Sequence, residues 1–148
     1  MRLDVDVDAR AARALLEGIA YRSEHPRPGS SLVLDDVLGA QRALFAAQPW
    51  PALADSTKER KRSDPATAAN AETEMVGTGR LKRFLTTRGP GAQPLALNDR
   101  ELRIGVPRGQ SSVYYARHLA ARGRNPVVPV STVRRVAPRR LAGWLVGQ

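Results

Sequence analysis

Cysteine is absent from this chain of 148 residues. Without a thiol, the protein has no disulfide, no thiolate metal site and no cysteine nucleophile, and this composition fits a reducing compartment. Aromatic residues are also few, with two Trp, three Tyr and two Phe. We therefore expect a core built mainly from Ala, Leu and Val, in which each large aromatic side chain contributes an unusual share of the packing.

Long apolar runs are missing as well. No stretch approaches the ~20 apolar residues that cross a bilayer, and the first eight residues are acidic and alternating, unlike a signal peptide. The sequence therefore predicts a soluble protein made in the cytoplasm, with no membrane contact. Its length is that of one domain, and we predict a single domain over 1–148. Residues 63–75 show no hydrophobic period and predict an extended loop.

Acidic residues are nearly absent from the second half of the chain. Residues 75–148 contain fourteen Arg and Lys against two acids, a net charge of +12, whereas residues 1–74 contain ten basic and twelve acidic residues, a net charge of −2. Arg accounts for 21 of the 24 basic residues, and its planar fork suits phosphates and carboxylates. The asymmetry indicates a polyanionic partner or an acidic protein surface. The alternative is that the arginines only solubilise an exposed face.

Patterns typical of catalysis or metal binding are lacking. The two histidines, His25 and His118, have no second ligand at metal-binding spacing, and His118 is more simply a structural side chain. The three aspartates within the first eight residues lack the glycine and the closing glutamate of a calcium loop. The segment Arg-Gly-Pro-Gly at 88–91 lacks the lysine of a phosphate-binding loop and predicts a turn. We therefore predict no enzyme, no cofactor and no metal site.

The first half of the sequence predicts one strand and several helices. Alternation of apolar and charged residues predicts a strand over 1–8, and helical spacing predicts helices over 9–24, 32–47, 56–62 and 79–87. Asp8 is placed to cap the first helix, and the Pro- and Gly-rich segment 25–29 is expected to separate the first two helices. Ser56 and Glu59 are spaced as a capping box at the start of the third helix.

The second half adds strand patterns. Alternating apolar residues on either side of Asn98 predict a β-hairpin over 95–106, and the valines of 127–133 favour another strand. Residues 111–122 fit either a strand or a helix. The end of the chain predicts a short amphipathic helix over 138–147 with Pro138 in its first turn. These elements indicate an α+β fold, with helices packed on a small, mainly antiparallel sheet.

Two arginine clusters are the candidate interface with a partner. They comprise Arg117, Arg122 and Arg124, followed by Arg134, Arg135, Arg139 and Arg140. Both clusters are suited to phosphate contacts that give salt-dependent affinity without sequence preference. The chain shows no helix-turn-helix spacing, zinc finger or aromatic pair typical of base recognition. A small, non-specific nucleic-acid-binding protein is therefore one hypothesis for its function.

Three short segments, in a fixed order, point to a second hypothesis. They are Trp50-Pro51-Ala52-Leu53 followed by Ser56-Thr57-Lys58, then Thr78-Gly79-Arg80-Leu81 followed by Phe84, then Arg103-Ile104-Gly105-Val106 followed by Tyr115-Ala116 and His118. With the alternating N-terminus and the two helices after it, they resemble the phage virion morphogenesis (tail completion) family. The chain is also similar to neck and tail-terminator proteins of long-tailed phages, over about residues 1–146.

The resemblance implies a structural protein of the virion rather than an enzyme. It implies a homo-oligomeric ring at the head–tail junction, commonly a hexamer in terminators and sometimes a dodecamer in neck proteins, assembled in the host cytoplasm. Its partners are then the tail-tube protein, the neck or head-completion proteins and the passing DNA. The two arginine clusters are expected at a subunit contact or along the channel, and the loop at 63–75 is expected to become ordered on such contact.

The motif residues have structural roles in this hypothesis. Trp50 is expected in the core after the second helix, Thr78 is expected to cap a helix, and Gly79 is expected to allow a tight turn. Tyr115 and Ala116 are expected on a strand that a neighbouring element approaches closely. The full set of motif residues is Trp50, Leu53, Thr57, Thr78, Gly79, Leu81, Tyr115, Ala116 and His118.

Overall fold

The computed structural model describes residues 9–106 and 116–147. The helices are α1 (Ala9–Glu24), α2 (Arg27–Ala47), α3 (Asp55–Ser63), α4 (Arg80–Thr86), α5 (Ala116–Ala121) and α6 (Val130–Val146). The strands are β1 (Ala96–Leu97) and β2 (Leu102–Arg103), and a 3-10 turn covers Ala68–Asn70. The fold thus mixes helix and strand, as predicted. No helix within the described ranges has the length and apolar character to cross a membrane.

The first two helices follow each other almost directly. α1 occupies the predicted range, whereas α2 begins at Arg27, before the predicted start at 32. The predicted separation of the two helices is confirmed, but it covers only His25 and Pro26. Pro28 lies in the first turn of α2, where a helix amide has no backbone partner to lose. The strand predicted over 1–8 and the cap predicted at Asp8 lie outside the described residues.

The core forms where α2 meets α4 and the segments around them. Its cluster of buried side chains comprises Phe45, Trp50, Met75, Val76, Leu81, Phe84, Leu85 and Ala116. The rings of Phe45 and Trp50 lie 5.3 Å apart, and Trp50 Nε1 donates to the carbonyl of Asn125 at 3.0 Å. The predicted core position of Trp50 is therefore confirmed, and a polar partner satisfies the indole N–H.

The side-chain caps predicted for α3 and α4 are wrong. α3 begins at Asp55, with Ala54 at the N-cap position and no capping hydrogen bond, so Ser56 lies inside the first turn. Gly79 occupies the N-cap position of α4 with φ +78°, again without a side-chain cap from Thr78. The tight turn predicted at Gly79 is confirmed, because this positive φ is a backbone conformation that glycine adopts without strain.

The predicted hairpin is confirmed, although its strands are short. β1 pairs with β2 in antiparallel register, with Leu97 opposite Leu102. Asn98 Oδ1 accepts from the amides of Arg100 and Glu101 at 2.8 and 2.9 Å, which closes the turn. This two-stranded sheet is smaller than the predicted one.

The buried side chain of Gln93 forms hydrogen bonds with the backbone of Gly105, which follows β2. Gln93 Nε2 donates to the carbonyl of Gly105 at 2.7 Å, and the amide of Gly105 donates to Gln93 Oε1 at 3.1 Å. Both backbone groups of Gly105 are therefore satisfied by one side chain rather than by a strand. The turn predicted at 88–91 is confirmed, since the Gly89 amide donates to the Gln93 carbonyl at 3.0 Å.

The strand predicted over 127–133 is wrong, and the last helix is longer than predicted. The amide of Val128 donates to Gln41 Oε1 at 3.0 Å, so a side chain of α2 takes the place of a strand partner. α6 begins after Pro129 and contains Pro138 in its interior rather than in its first turn. Packing of α6 against α1 and α2 outweighs the strand preference of the valines. Of the ambiguous segment 111–122, the described part contains the helix α5.

Candidate interface surfaces

Three arginines and one lysine line a groove of about 710 Å³ beside α3 and α5. We call it the basic groove, and its basic residues are Arg60, Lys61, Arg122 and Arg124. Apolar side chains also line it, among them Leu53, Met75 and Leu119. The groove therefore offers charged hydrogen-bond donors and apolar surface together, which suits a ligand that carries both acidic and apolar groups.

Lys61 holds one wall of the basic groove in place. Its ammonium donates to the carbonyls of Asn70, Thr73 and Val76, the last two at 2.9 Å. Burial lowers the pKa of Lys61, and the carboxylates of Glu74 and Glu72 act in the opposite direction. All three donors of the ammonium are thus directed at the chain itself, so Lys61 is a structural residue of the groove.

Residues 63–75 are held by contacts within the single chain. Thr67 Oγ1 donates to the carbonyl of Lys61 at 3.0 Å, and Asn70 Nδ2 donates to the carbonyl of Gly77 at 2.9 Å. Arg62 and Glu72 form an ion pair across the same segment. This internal bonding contrasts with the expectation that the segment becomes ordered only on contact with a partner.

The first arginine cluster is only partly the one predicted. Arg122 is exposed, and Arg124 is half-buried with Nη2 3.5 Å from the carbonyl of Ala52. Arg117 lies on α5. The structure adds Arg60, from α3, to the same groove. No pattern in the sequence places Arg60 beside Arg122, which lies 62 positions further along the chain.

The second arginine cluster divides into two groups. Arg140 pairs with Asp36 of α2 through two hydrogen bonds of 2.7 Å, Nε to Oδ2 and Nη2 to Oδ1. Arg134, Arg135 and Arg139 are exposed, and they form no ion pair within the part of the chain that the structure describes. Arg140 therefore joins α6 to α2, while the other three remain candidates for a partner.

The Asp36–Arg140 pair gives the protein a pH-dependent contribution to stability. The hydrogen bonds that Arg140 donates lower the pKa of Asp36, partly offset by burial, and the same bonds raise the pKa of Arg140. A carboxylate whose pKa is lowered on folding stabilises the protein above its unfolded pKa of about 3.9, and this contribution is lost as the pH falls through the folded value.

We expect Asp36→Asn to lower the urea midpoint at neutral pH and to have less effect below the pKa of Asp36. The effect should be small because the side chains are partly exposed, and added salt should reduce it further. Urea titrations of both proteins at neutral and acidic pH, with and without salt, measure it. An equal loss of stability at both pH values would show that the ion pair is not the cause.

The first half of α1 is exposed to solvent. All residues from Ala9 to Glu17 are exposed, including Leu15 and Leu16, whose exposed fractions are 50% and 66%. The second half contacts α6, where Arg22 Nε donates to the carbonyl of Leu145 at 2.8 Å. Two adjacent exposed leucines on a helix form an apolar surface that favours contact with another molecule.

The motif residues separate into core, groove and surface positions. Trp50, Leu81 and Ala116 belong to one core cluster, although Ala116 begins a helix and not the predicted strand. Leu53 and Thr57 line the basic groove. Thr78 and His118 are exposed. Tyr115 lies outside the described residues.

The structure gives no support to a metal centre in the ranges it describes, where no three His, Asp or Glu side chains lie close enough to bind an ion together. The surfaces available to a partner include the basic groove, the exposed arginines of α6 and the exposed half of α1. No family model matches the chain, and neither the curated proteins nor the solved structures contain a match to it.

Proposed function

We propose that the protein is a structural component of a tailed-phage virion that assembles with copies of itself into a ring at the head–tail junction. Its action is geometric: one face of the ring matches the end of the tail tube, and the other matches the neck. The ring thereby ends growth of the tube and joins it to the head. The proposal thus includes the homo-oligomer, its stoichiometry and its place in the virion.

The observation that carries the proposal is the exposed first half of α1. A nine-residue helical segment with two exposed leucines gains little stability from its own chain. Contact with a second copy covers this surface, and a contact between unlike faces repeats around a ring.

The positions of the motif residues give further support. Trp50, Leu81 and Ala116 come from the three segments that carry the resemblance, and they meet in one core. Their roles are therefore structural, which suits a family that assembles rather than catalyses. Arg134, Arg135 and Arg139 then provide a basic surface for the acidic faces of neighbouring proteins or for the passing DNA.

The test has two stages. Light scattering coupled to size-exclusion chromatography should give a mass that is a multiple of 16.1 kDa, and electron microscopy should show rings. In the phage or prophage that encodes the chain, loss of its gene should give unjoined heads and tails of irregular length. Normal, joined particles formed after loss of the gene would overturn the proposal. Absence of the protein from wild-type virions would overturn it as well.

Binding to nucleic acid is a second candidate, favoured by the arginines that surround the basic groove. Arg60 and Arg122 have no ion-pair partner within the described ranges, so they are available to phosphates. This function predicts duplex DNA binding that weakens steeply with salt, together with a monomeric protein. Fluorescence polarisation of a labelled duplex, measured at several salt concentrations, distinguishes it from the ring protein.

A further inference from the structure

We infer that residues 1–8 of one copy bind in the basic groove of the next copy and so connect the subunits. This inference rests on the proposed ring, and it names the contact that forms it. The occupant is the N-terminal segment of this chain, Met-Arg-Leu-Asp-Val-Asp-Val-Asp. The receptor is the groove lined by Arg60, Lys61, Arg122 and Arg124.

The segment and the groove match in chemistry. The segment carries Asp4, Asp6 and Asp8 at alternate positions, and Leu3, Val5 and Val7 between them. In an extended strand these two sets point to opposite sides, so one side is acidic and the other is apolar. The groove presents arginines and apolar side chains together, which provides a complementary partner for each side of such a strand.

The charges of the groove are available for this contact. Lys61 donates to three carbonyls of its own chain, but Arg60 and Arg122 have no ion pair among the described residues. Asp64 is the single acid that lines the groove. An aspartate from the segment therefore meets a net positive surface, and a guanidinium binds a carboxylate through two parallel hydrogen bonds.

The exposed half of α1 favours a groove on another copy. Residues 9–17 are all exposed, so this part of the helix is not packed on its own subunit. At 1.5 Å per residue this exposed part of the helix extends for about 13 Å. Binding to a neighbour would also place Leu15 and Leu16 near that neighbour, which accounts for their exposure in the single chain.

The contact joins two different surfaces, the segment of one copy and the groove of the next. Such a contact repeats from copy to copy and closes into a ring when the rotation permits. Because charged pairs contribute strongly to it, we expect the assembly to weaken as salt increases. The exposed arginines of α6 are not part of this contact and remain available to other proteins.

The test uses charge reversal in the full chain. One variant, D4K/D6K/D8K, reverses the segment, and a second, R60E/R122E/R124E, reverses the groove. Each should weaken self-association roughly a hundredfold or more, since like charges then face each other. The control R80E/K82E/R83E reverses three exposed charges of α4 and should leave self-association within about threefold of the original.

Mixing the two reversed variants provides the decisive measurement. In the mixture, the lysines of one variant can bind the glutamates of the other, and the original segment and groove can also bind each other. Light scattering should therefore show mixed oligomers, although each variant alone is monomeric. This recovery would also show that both variants are folded. Circular dichroism of each variant checks the same point.

Three results would overturn the inference. If both reversed variants still form rings, the contact between copies lies elsewhere and the proposed function stands. Monomers that stay monomeric on mixing, with native circular dichroism, would show that the segment does not connect copies. Loss of duplex DNA binding in the groove variant, with rings intact, would assign the groove to nucleic acid. Absence of the chain from virions tests the proposed function separately.

Discussion

Lys61→Met should lower the free energy of unfolding by about 2–4 kcal/mol, because it removes charged hydrogen bonds to three carbonyls at once. The carbonyls of Asn70, Thr73 and Val76 all accept from this one ammonium. Methionine has a similar length and fills similar space, so packing changes little. Water can reach part of the site from the basic groove, which limits the loss to this range.

The loss should be local as well as global. Lys61 joins α3 to the segment 70–76, which is also held by the ion pair of Glu72 and by the burial of Met75 and Val76 in the core. We therefore expect the amides of 64–77 to exchange faster with solvent in the variant than those of α2 or α4. Hydrogen-exchange mass spectrometry measures this difference, and urea denaturation measures the global loss. Unchanged protection over 64–77 would contradict the role assigned to Lys61.

Lys58→Met is the matched control. It makes the same chemical change one turn earlier on α3, where the ammonium lies 3.5 Å from Asp55 and 3.7 Å from Glu72. Ion pairs of this length at a partly exposed surface contribute less than about 1 kcal/mol. A comparable loss of stability in both variants would show that it results from the lost positive charge on α3 and not from the lost hydrogen bonds to the three carbonyls.

The effect on the basic groove follows from the same contacts. Thr67, Met75 and Val76 line the groove and belong to the segment that Lys61 holds. Lys61→Met should therefore weaken self-association, although the ammonium of Lys61 has no donor left for direct contact with a ligand. This distinguishes Lys61 from Arg60 and Arg122, whose replacement should weaken self-association without a comparable loss of stability.

The elements that depend on local spacing could be predicted from the sequence. α1 occupies its predicted range, and α4 lies within the predicted range 79–87. The hairpin also formed where alternation and Asn98 placed it. In each case the residues that decide the structure lie within a few positions of one another, so a pattern in the sequence contains the necessary information.

Two wrong predictions, the strand over 127–133 and the place of Pro138, concern segments with partners distant in the chain. Val127 and Val128 have strand-forming side chains, but Gln41 from α2 accepts from the Val128 amide. α6 includes Pro138 in its interior and packs against α1 and α2. A local pattern cannot reveal such partners, because tertiary packing overrides intrinsic preference.

The candidate surfaces show the same division. The excess of arginine in the second half was visible in the composition, but its distribution over the molecule was not. Arg140, predicted as an interface residue, pairs with Asp36 within the chain. Arg60 was not a candidate and lies in the same groove as Arg122. Only the tertiary arrangement of the chain brings these two together.

The packing of α6 on α2 should be most sensitive at Gly29, where we expect Gly29→Ala to lower the free energy of unfolding by about 1–3 kcal/mol. A Cβ at this position would lie 2.6 Å from Cε3 and 2.8 Å from Cδ2 of Trp144. Such distances are far below van der Waals contact, so the indole ring or α6 must move. Glycine therefore lets the first turn of α2 approach the ring of Trp144 closely.

Two further variants establish the cause. Gly39→Ala adds a Cβ in the same helix with nothing within 4 Å, so it should stabilise the protein by roughly 0.5–1 kcal/mol through helix propensity. In a Trp144→Ala background, Gly29→Ala has no ring to displace and should cease to destabilise the protein. Urea titration of the four proteins in this cycle gives the coupling energy. A coupling near zero would show that the close approach of Trp144 is not the reason for the loss of stability in Gly29→Ala.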